Sequence, residues 1–206
     1  MITIIIVAVT SAISMIAFNN QLVFSKLQFS PYQVYHRKEY YRLLSHGFIH
    51  ADWTHLIVNM FVLYSFGIAV EKWFLRLETE GLMRYAEVWF VVMYLVSIVV
   101  SSLTTLKKQK DNVYYNAVGA SGAVSAVLFC SIFFSPFSTI GLYLVIPMPA
   151  IVFGVLYLVY SQYMSRKNTD NVNHDAHFVG AVFGFLFPLL INVKFIYIFI
   201  EQLFNR

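Results

Sequence analysis

The sequence predicts an all-α fold, a polytopic membrane bundle of six transmembrane helices. Composition is the first reason. Hydrophobic side chains make up 59% of the 206 residues and charged side chains only 12%, whereas soluble domains carry roughly 25% charged residues. The second reason is that the apolar residues fall into long runs. A hydrocarbon core about 30 Å thick needs roughly 20 apolar residues per helix, and these runs approach that length.

Six apolar stretches are expected to form the helices: Ile2–Phe18 and residues 54–70, 88–106, 117–134, 146–164 and 176–200. The first lacks the basic leader and small-residue cleavage site of a signal peptide, so a retained span is predicted. Asp52 is placed to cap the second stretch. Pro147 and Pro149 are expected in the first turn of the fifth, where proline is tolerated. Lys194 interrupts the sixth and is expected to snorkel to the interface.

The long connection over residues 19–51 mixes aromatic residues, histidine and arginine. Such a composition suits a segment that lies at the interface between lipid and water. No internal repeat or low-complexity tract divides the chain. A single domain over residues 1–206, surrounded by a lipid bilayer, is therefore expected.

Several kinds of function are disfavoured. Most tyrosines and phenylalanines lie inside the apolar runs, not among basic residues, so no nucleic-acid partner is expected. The single cysteine, Cys130, is expected to be a buried, inert thiol. No metal site or cofactor is predicted, because His-Glu-x-x-His is absent and His174 and His177 lack a third ligand. An aspartyl protease or a transporter is disfavoured because no span carries an acidic residue near its middle.

Three polar residues inside the apolar runs lead to the functional hypothesis. Unpaired polar groups in a membrane are costly, so those that persist usually mark a site or a packed interface. Asn59, Ser121 and His177 lie near the starts of the second, fourth and sixth stretches. Alternate spans run in the same direction, so these starts share one side of the membrane. The three side chains are therefore expected to converge.

Each of these residues also has a purely structural interpretation. Ser121 alone would more often bond to its own helix backbone, and Asn59 alone would more often join two helices. Gly180 and Gly184 form a GxxxG spacing, which lets helices approach closely. If the fourth and sixth stretches meet through these glycines, packing and catalysis are compatible, because the contact brings Ser121 near His177.

Together the three residues suit acyl transfer. A serine hydroxyl attacks once an adjacent base takes its proton, and histidine is the usual base near neutral pH. The Ser121 backbone N–H and the Asn59 amide could stabilise an oxyanion. His55, one turn before Asn59, could reach the same place. No aspartate lies within a span and Asp175 is expected to point elsewhere, so a Ser–His dyad is predicted.

Hydrolysis of an acyl-enzyme requires water at Ser121. The fourth stretch is therefore expected to begin below the membrane surface, in a polar cavity. The connection over residues 107–116 is strongly polar. It is expected to descend into that cavity.

The chain resembles the rhomboid family of intramembrane proteases over nearly its whole length. The matching motifs occur in order: Tyr41-Arg42, then His46, His50, His55 and Asn59, then Gly67 and Glu71, then Gly119-Ala120-Ser121-Gly122 as the GxSG motif, and Ala176-His177 with Gly180 and Gly184 as the AHxxGxxxG motif. A GxSG motif alone is weakly specific. The ordered set is highly specific.

This resemblance implies a serine endopeptidase that cleaves transmembrane protein substrates, located in a bacterial cytoplasmic membrane. It implies Ser121 as nucleophile and His177 as base, with an oxyanion hole formed by His55, Asn59 and the Ser121 amide. The other motif residues would be structural: Arg42, His46, His50, Gly67, Glu71, Gly119, Gly122, Gly180 and Gly184.

Two departures from the family pattern stand out. Tyr41 replaces the usual tryptophan, and Ser125 stands where the family often has an aromatic residue that stacks on the catalytic histidine. The alternative function is that of a catalytically inactive rhomboid-like protein that binds membrane clients. Proteins of that kind tend to lack the serine or the histidine, and this chain keeps both.

The membrane orientation has two conflicting indications. Basic residues in the connections are more numerous on the expected active-site side, with Lys26, Arg37, Lys38, Arg42, Lys107, Lys108, Lys110, Arg166 and Lys167, than on the other, with Lys72, Arg76, Arg84 and Arg206. This bias predicts an active-site face in the cytoplasm. Resemblance to the simple bacterial members of the family implies the opposite orientation.

Overall fold

A computed structural model of the chain describes residues 1–142, 146–167, 170 and 172–204. The α-helices are α1 (Ile2–Phe18), α2 (Gln21–Leu27), α3 (Pro31–Arg37), α4 (Arg42–Ser45), α5 (Trp53–Thr79), α6 (Ala86–Gln109), α7 (Ser121–Phe134), α8 (Ala150–Lys167), α9 (His174–Ile191) and α10 (Phe195–Phe204). A short 3-10 helix (His46–Phe48) follows α4, and strands β1 (Thr139–Leu142) and β2 (Ile146–Pro149) lie between α7 and α8.

Three of the described helices, α5, α6 and α9, are long and apolar enough to cross a membrane. Helices α1, α7 and α10 are apolar but shorter. Large apolar side chains are exposed on the outer faces of α5 and α8, among them Ile57, Phe61, Val155 and Val159. Such faces suit contact with lipid, not water. The chain is an integral membrane protein, but the predicted count of six transmembrane helices is not confirmed.

Helix α7 lies at the centre of the bundle. All of its residues after Ser121 are buried, and it packs against α5, α6 and α9. It begins later than the predicted start at residue 117, because Gly119 has a φ of +117°, which is incompatible with a right-handed helix. The fourth apolar stretch is therefore a short, buried helix with Ser121 as its first residue.

The fifth apolar stretch begins as a strand. Strands β1 and β2 form an antiparallel hairpin that keeps Pro147 and Pro149 extended, and α8 starts at Ala150. The prediction that these prolines occupy the first helical turn is wrong, and the fold is mostly helical rather than purely α. The physical reason is that a residue before proline is pushed to extended backbone, which applies to Ile146 and Met148.

The sixth apolar stretch is two helices, not one. The backbone of Asn192, between α9 and α10, is extended, with φ −154° and ψ 114°. Its side-chain oxygen accepts a hydrogen bond from the Lys194 backbone N–H at 3.0 Å. This bond stabilises a turn. Lys194 lies in that turn and is exposed, so the predicted interruption at Lys194 is confirmed, whereas the prediction of a single helix over residues 176–200 is wrong.

Helix α1 is fastened to α5 at its start. The Glu71 carboxylate accepts hydrogen bonds from the backbone N–H groups of Ile2 (2.6 Å) and Thr3 (3.0 Å). These N–H groups have no partner within α1. A Cβ at Gly67 would lie 2.7 Å from Cγ2 of Thr3, so this glycine permits the close approach. Gly67 and Glu71 together fix how α1 packs on α5.

The connection over residues 19–51 contains α2, α3, α4 and the 3-10 helix. Buried Arg42 organises it, because Nη1 donates to the carbonyl oxygens of Ser25 (2.9 Å) and Gln28 (2.8 Å). Its Nε donates to Glu39 at 2.6 Å. This bond holds the pKa of Glu39 below its ordinary value. The Arg42 guanidinium is thus used to hold the end of α2 against the start of α4.

Candidate active site

Helices α7 and α9 touch backbone to backbone. A Cβ at Gly180 would collide with the carbonyl oxygen of Gly122, and a Cβ at Gly184 would collide with that of Ala126. A Cβ at Gly122 would collide with Ser101 on α6. The fourth and sixth apolar stretches therefore meet through the GxxxG glycines. This contact places the starts of α7 and α9 side by side.

One large cavity opens at these helix starts. Its volume is about 940 Å³, and Ser121, His177, His55 and Asn59 all line it. Polar groups from the end of α6 and the following connection also line it, namely Lys108, Gln109, Tyr114, Tyr115 and Asn116. The four side chains singled out from the sequence thus share one polar cavity, bordered by the connection expected there.

Ser121 and His177 are both half-buried. Ser121 is the first residue of α7, and His177 lies in the first turn of α9. Within the described residues, no hydrogen bond joins the Ser121 hydroxyl to the His177 ring. The two side chains share the cavity but are not paired in this state. Catalytic hydrogen bonds commonly tighten only in the substrate complex.

Asn59 and His55 lie on consecutive turns of α5. The Asp52 side chain accepts a hydrogen bond from the His55 backbone N–H at 2.8 Å, so the predicted cap of this helix is confirmed. Buried Asn59 donates one amide hydrogen to the His55 carbonyl oxygen at 3.0 Å. A side-chain amide has two N–H groups. The second N–H of Asn59 can donate a hydrogen bond to a group in the cavity.

Gly119, which precedes α7, leaves room for the His55 side chain. A Cβ at this glycine would lie 2.6 Å from Cε1 of His55, and its φ of +117° is strained for any other residue. Its backbone N–H donates to the His46 carbonyl oxygen at 2.9 Å. Burial lowers the pKa of the His46 side chain to about 4. His46 is therefore a neutral group of the first connection, and its backbone is bonded to Gly119 just before α7.

His50 links α1 to His55. A hydrogen bond of 3.0 Å joins its Nδ1 and the Ser14 hydroxyl, and its ring meets the His55 ring edge-on, with centroids 5.0 Å apart. Burial, and then the proximity of His55, lowers the pKa of His50 to about 3. A neutral, fully buried His50 thus packs behind a cavity-lining side chain.

The His177 ring is held by aromatic packing. The Tyr157 ring of α8 stacks on it, with centroids 6.3 Å apart and planes at 18°. His174 meets it edge-on at 5.9 Å. His174 Nε2 lies 3.1 Å from both carboxylate oxygens of Asp170. The spacing of His174, one helical turn before His177, signals this contact in the sequence, whereas the position of Tyr157 depends on how α8 packs and has no local signal.

Asp175 points away from His177. Its carboxylate accepts hydrogen bonds from Lys108 Nζ at 2.6 Å and from the Ser165 hydroxyl at 2.5 Å. These bonds tie the start of α9 to the ends of α6 and α8. The expectation that Asp175 takes no part in a triad agrees with these contacts.

Comparison with known proteins assigns the chain to a family. A family model for the Rhomboid domain matches residues 37–194. The "RHOMBOID-like protein 12, mitochondrial" of Arabidopsis thaliana is 30% identical over 148 residues, covering 68% of this chain and 43% of the relative. The chain thus spans less than half the length of that relative, whose name does not support a bacterial location. On the family match and this identity, the chain belongs to the rhomboid family.

Proposed function

We propose that the chain is an intramembrane serine endopeptidase that cleaves transmembrane-helix substrates through a Ser121–His177 dyad. The observation that carries the proposal is the shared cavity, which Ser121, His177, His55 and Asn59 line together. Family membership supports the same reading. The cavity lies at the starts of α7 and α9, and in it water can reach the polar side chains.

In this mechanism His177 takes the Ser121 hydroxyl proton while Oγ attacks the scissile carbonyl carbon. The oxyanion accepts hydrogen bonds from the Ser121 backbone N–H, which begins α7, and from the second amide N–H of Asn59. His55 lies beside them. The His177 imidazolium then gives its proton to the leaving amine as the C–N bond breaks. Water, deprotonated by His177, releases the acyl group from Ser121.

Cleavage of a single-span substrate in proteoliposomes tests the proposal. We expect cleavage by the wild type and none by Ser121→Ala or His177→Ala. Ser131→Ala, a change of the same type on buried α7, should cleave like the wild type. Cleavage that persists in Ser121→Ala would overturn the assignment.

A second function, client binding without cleavage, is favoured by one observation. The Ser121 hydroxyl and the His177 ring are not hydrogen-bonded to each other in the described structure. In that case the folded wild type would retain single-span proteins in the bilayer without cutting them, and Ser121→Ala would retain them equally well.

A further inference from the structure

Tyr157 of helix α8 contacts the His177 ring directly and is linked to the Ser121 backbone through Ser125. Ser125 Oγ donates to the Ser121 carbonyl oxygen at 2.8 Å and lies 2.6 Å from the Tyr157 hydroxyl. A serine hydroxyl has a single hydrogen. Because Ser125 gives that hydrogen to Ser121, the Tyr157 hydroxyl must be the donor to Ser125. A directed chain therefore runs from Tyr157 through Ser125 to the backbone of Ser121.

The ring of the same tyrosine lies alongside that of His177 in a stacked arrangement. The two planes are nearly parallel, at 18°, with centroids 6.3 Å apart. The Tyr157 ring also packs against Phe129 on α7, with centroids 5.6 Å apart, and against Phe153 on α8, at 5.9 Å. Tyr157 is thus fixed at its hydroxyl end and around its ring.

His177 depends on this packing for its orientation. Among the residues that the structure describes, no carboxylate or carbonyl group is hydrogen-bonded to its ring nitrogens. The second torsion of a histidine is broad, so an imidazole without such a partner can turn. The Tyr157 ring restricts the turn from one face, and the edge contact with His174 restricts it from the side.

We propose that Tyr157 is a positioning residue for His177: its ring, anchored through Ser125 to the Ser121 backbone, holds the imidazole in the plane from which it can reach the Ser121 hydroxyl. The inference rests on the proposed function for its catalytic meaning. Its geometric content stands independently, because it concerns the orientation of one ring. Without Tyr157, Ser125 would only bond to the backbone of its own helix. Through Tyr157 it links α7 to α8.

Three variants separate the ring from the hydroxyl. Tyr157→Leu removes both, Tyr157→Phe keeps the stacking ring, and Ser125→Ala removes the anchor. Tyr163→Leu is the matched control, because Tyr163 is also on α8 but is 53% exposed. All four changes are examined for cleavage kinetics, for thermal unfolding, and for the proton resonances of the His177 ring, assigned by their loss in His177→Gln.

The predicted kinetic result is a fall in kcat on the order of tenfold for Tyr157→Leu, with KM unchanged, because misorientation of a base acts on the chemical step. Tyr157→Phe and Ser125→Ala, which both keep the ring but lose the hydrogen bond between the two side chains, should each restore most of kcat. Tyr163→Leu should match the wild type. A merely structural role predicts instead that Tyr157→Leu lowers the melting temperature and the fraction of active protein at unchanged kcat, and this result would overturn the proposal.

The spectroscopic result separates this proposal from the proposed function. The ring current of Tyr157 acts on the His177 ring protons, so Tyr157→Leu should change their resonance positions while Tyr157→Phe and Tyr163→Leu leave them in place. If the resonances respond in this way but the wild type cleaves no substrate, the proteolytic function fails and the orienting contact stands. If the wild type cleaves and Tyr157→Leu changes neither kcat nor the resonance positions, the positioning role fails alone.

Discussion

Gly184 of α9 lies directly against the carbonyl oxygen of Ala126 on α7, with no room for a methyl group between them. Gly180 makes the same contact with Gly122 one turn earlier. The distance between the two helices is thus set by main-chain atoms, which cannot move aside as a flexible side chain can. The position of Ser121 and His177 on one cavity depends on this contact.

The first prediction concerns that contact. Gly184→Ala should destabilise the protein by at least about 2 kcal/mol, because overpacking against backbone forces the helices apart, and cleavage should fall with it. Gly154→Ala on α8 is the control, since its new methyl would meet side chains rather than backbone, namely the end of Ile132 at 3.1 Å and the Phe129 ring at 3.4 Å. Thermal unfolding in detergent measures both. Equal melting temperatures would contradict the assigned packing.

The second prediction concerns Asn59. Asn59→Ala should lower kcat on the order of 10²-fold, because one donor to the oxyanion is lost. The variant should still fold, because among the described residues the Asn59 side chain is hydrogen-bonded only to the backbone of its own helix. Ser65→Ala is the control on α5, because its hydroxyl likewise bonds one turn back, to Phe61, but is exposed. An unchanged kcat in Asn59→Ala would remove Asn59 from the oxyanion hole.

Much of this arrangement follows from the sequence, and what does not follow has identifiable causes. Ile2–Phe18 is α1 as predicted, and the grouping of Ser121, His177, Asn59 and His55 in one cavity follows from the common direction of alternate helices. The hairpin before α8 was missed because an apolar run gives no period that separates strand from helix. The prolines within it were the available signal.

The contacts of His177 show a second limit to what the sequence predicts. Ser125 marks the place where an expected aromatic residue is absent, but nothing near it in the sequence points to Tyr157, which is 32 positions away. The contact exists only because α8 folds back beside α7 and α9. Arg42 illustrates the same limit for orientation, since a basic residue that bonds to backbone carbonyls and Glu39 is a poor guide to membrane sidedness.

The third prediction is a pH dependence of stability. The pKa of His46 falls to about 4 and that of His50 to about 3 on folding, chiefly through burial, whereas an unfolded histidine titrates near pH 6.5. The unfolded chain therefore binds more protons below about pH 6.5, so stability is complete above that pH and declines as pH falls towards 4. Each histidine should contribute up to about 1.4 kcal/mol per pH unit.

Melting temperatures between pH 7.5 and 4.5 measure this dependence. His50→Gln should be less stable at neutral pH, because the packing against His55 and Ser14 changes, but its stability should fall less steeply with acid. A wild-type melting temperature that stays constant to pH 4.5 would contradict the view that both histidines are buried and neutral.

The fourth prediction concerns Glu71. Glu71→Gln should destabilise the protein by about 1–2 kcal/mol, because a carboxylate that accepts from two N–H groups at the start of α1 is replaced by an amide with one acceptor oxygen. Proteolysis should then reach α1 sooner than in the wild type. Glu201→Gln, an exposed change on α10, is the control, and equal protease resistance in the two variants would argue against the cap.

The fifth prediction concerns the substrate. A helical backbone is already hydrogen-bonded, so a transmembrane segment must unwind locally before it can lie extended against Ser121. Segments with glycine, proline or polar residues near the cut should therefore be cleaved faster than a uniformly leucine-rich segment of equal length. Parallel cleavage assays in proteoliposomes compare the two, and equal rates would count against an unwinding step.

The most direct test of the central claim is the site of covalent reaction with a fluorophosphonate. Mass spectrometry of the labelled, folded protein should place one adduct on the peptide that contains Ser121, and the adduct should be lost in Ser121→Ala and greatly slowed in His177→Ala. A folded wild type that stays unmodified, or one that reacts equally well without His177, would contradict a nucleophile activated by that imidazole.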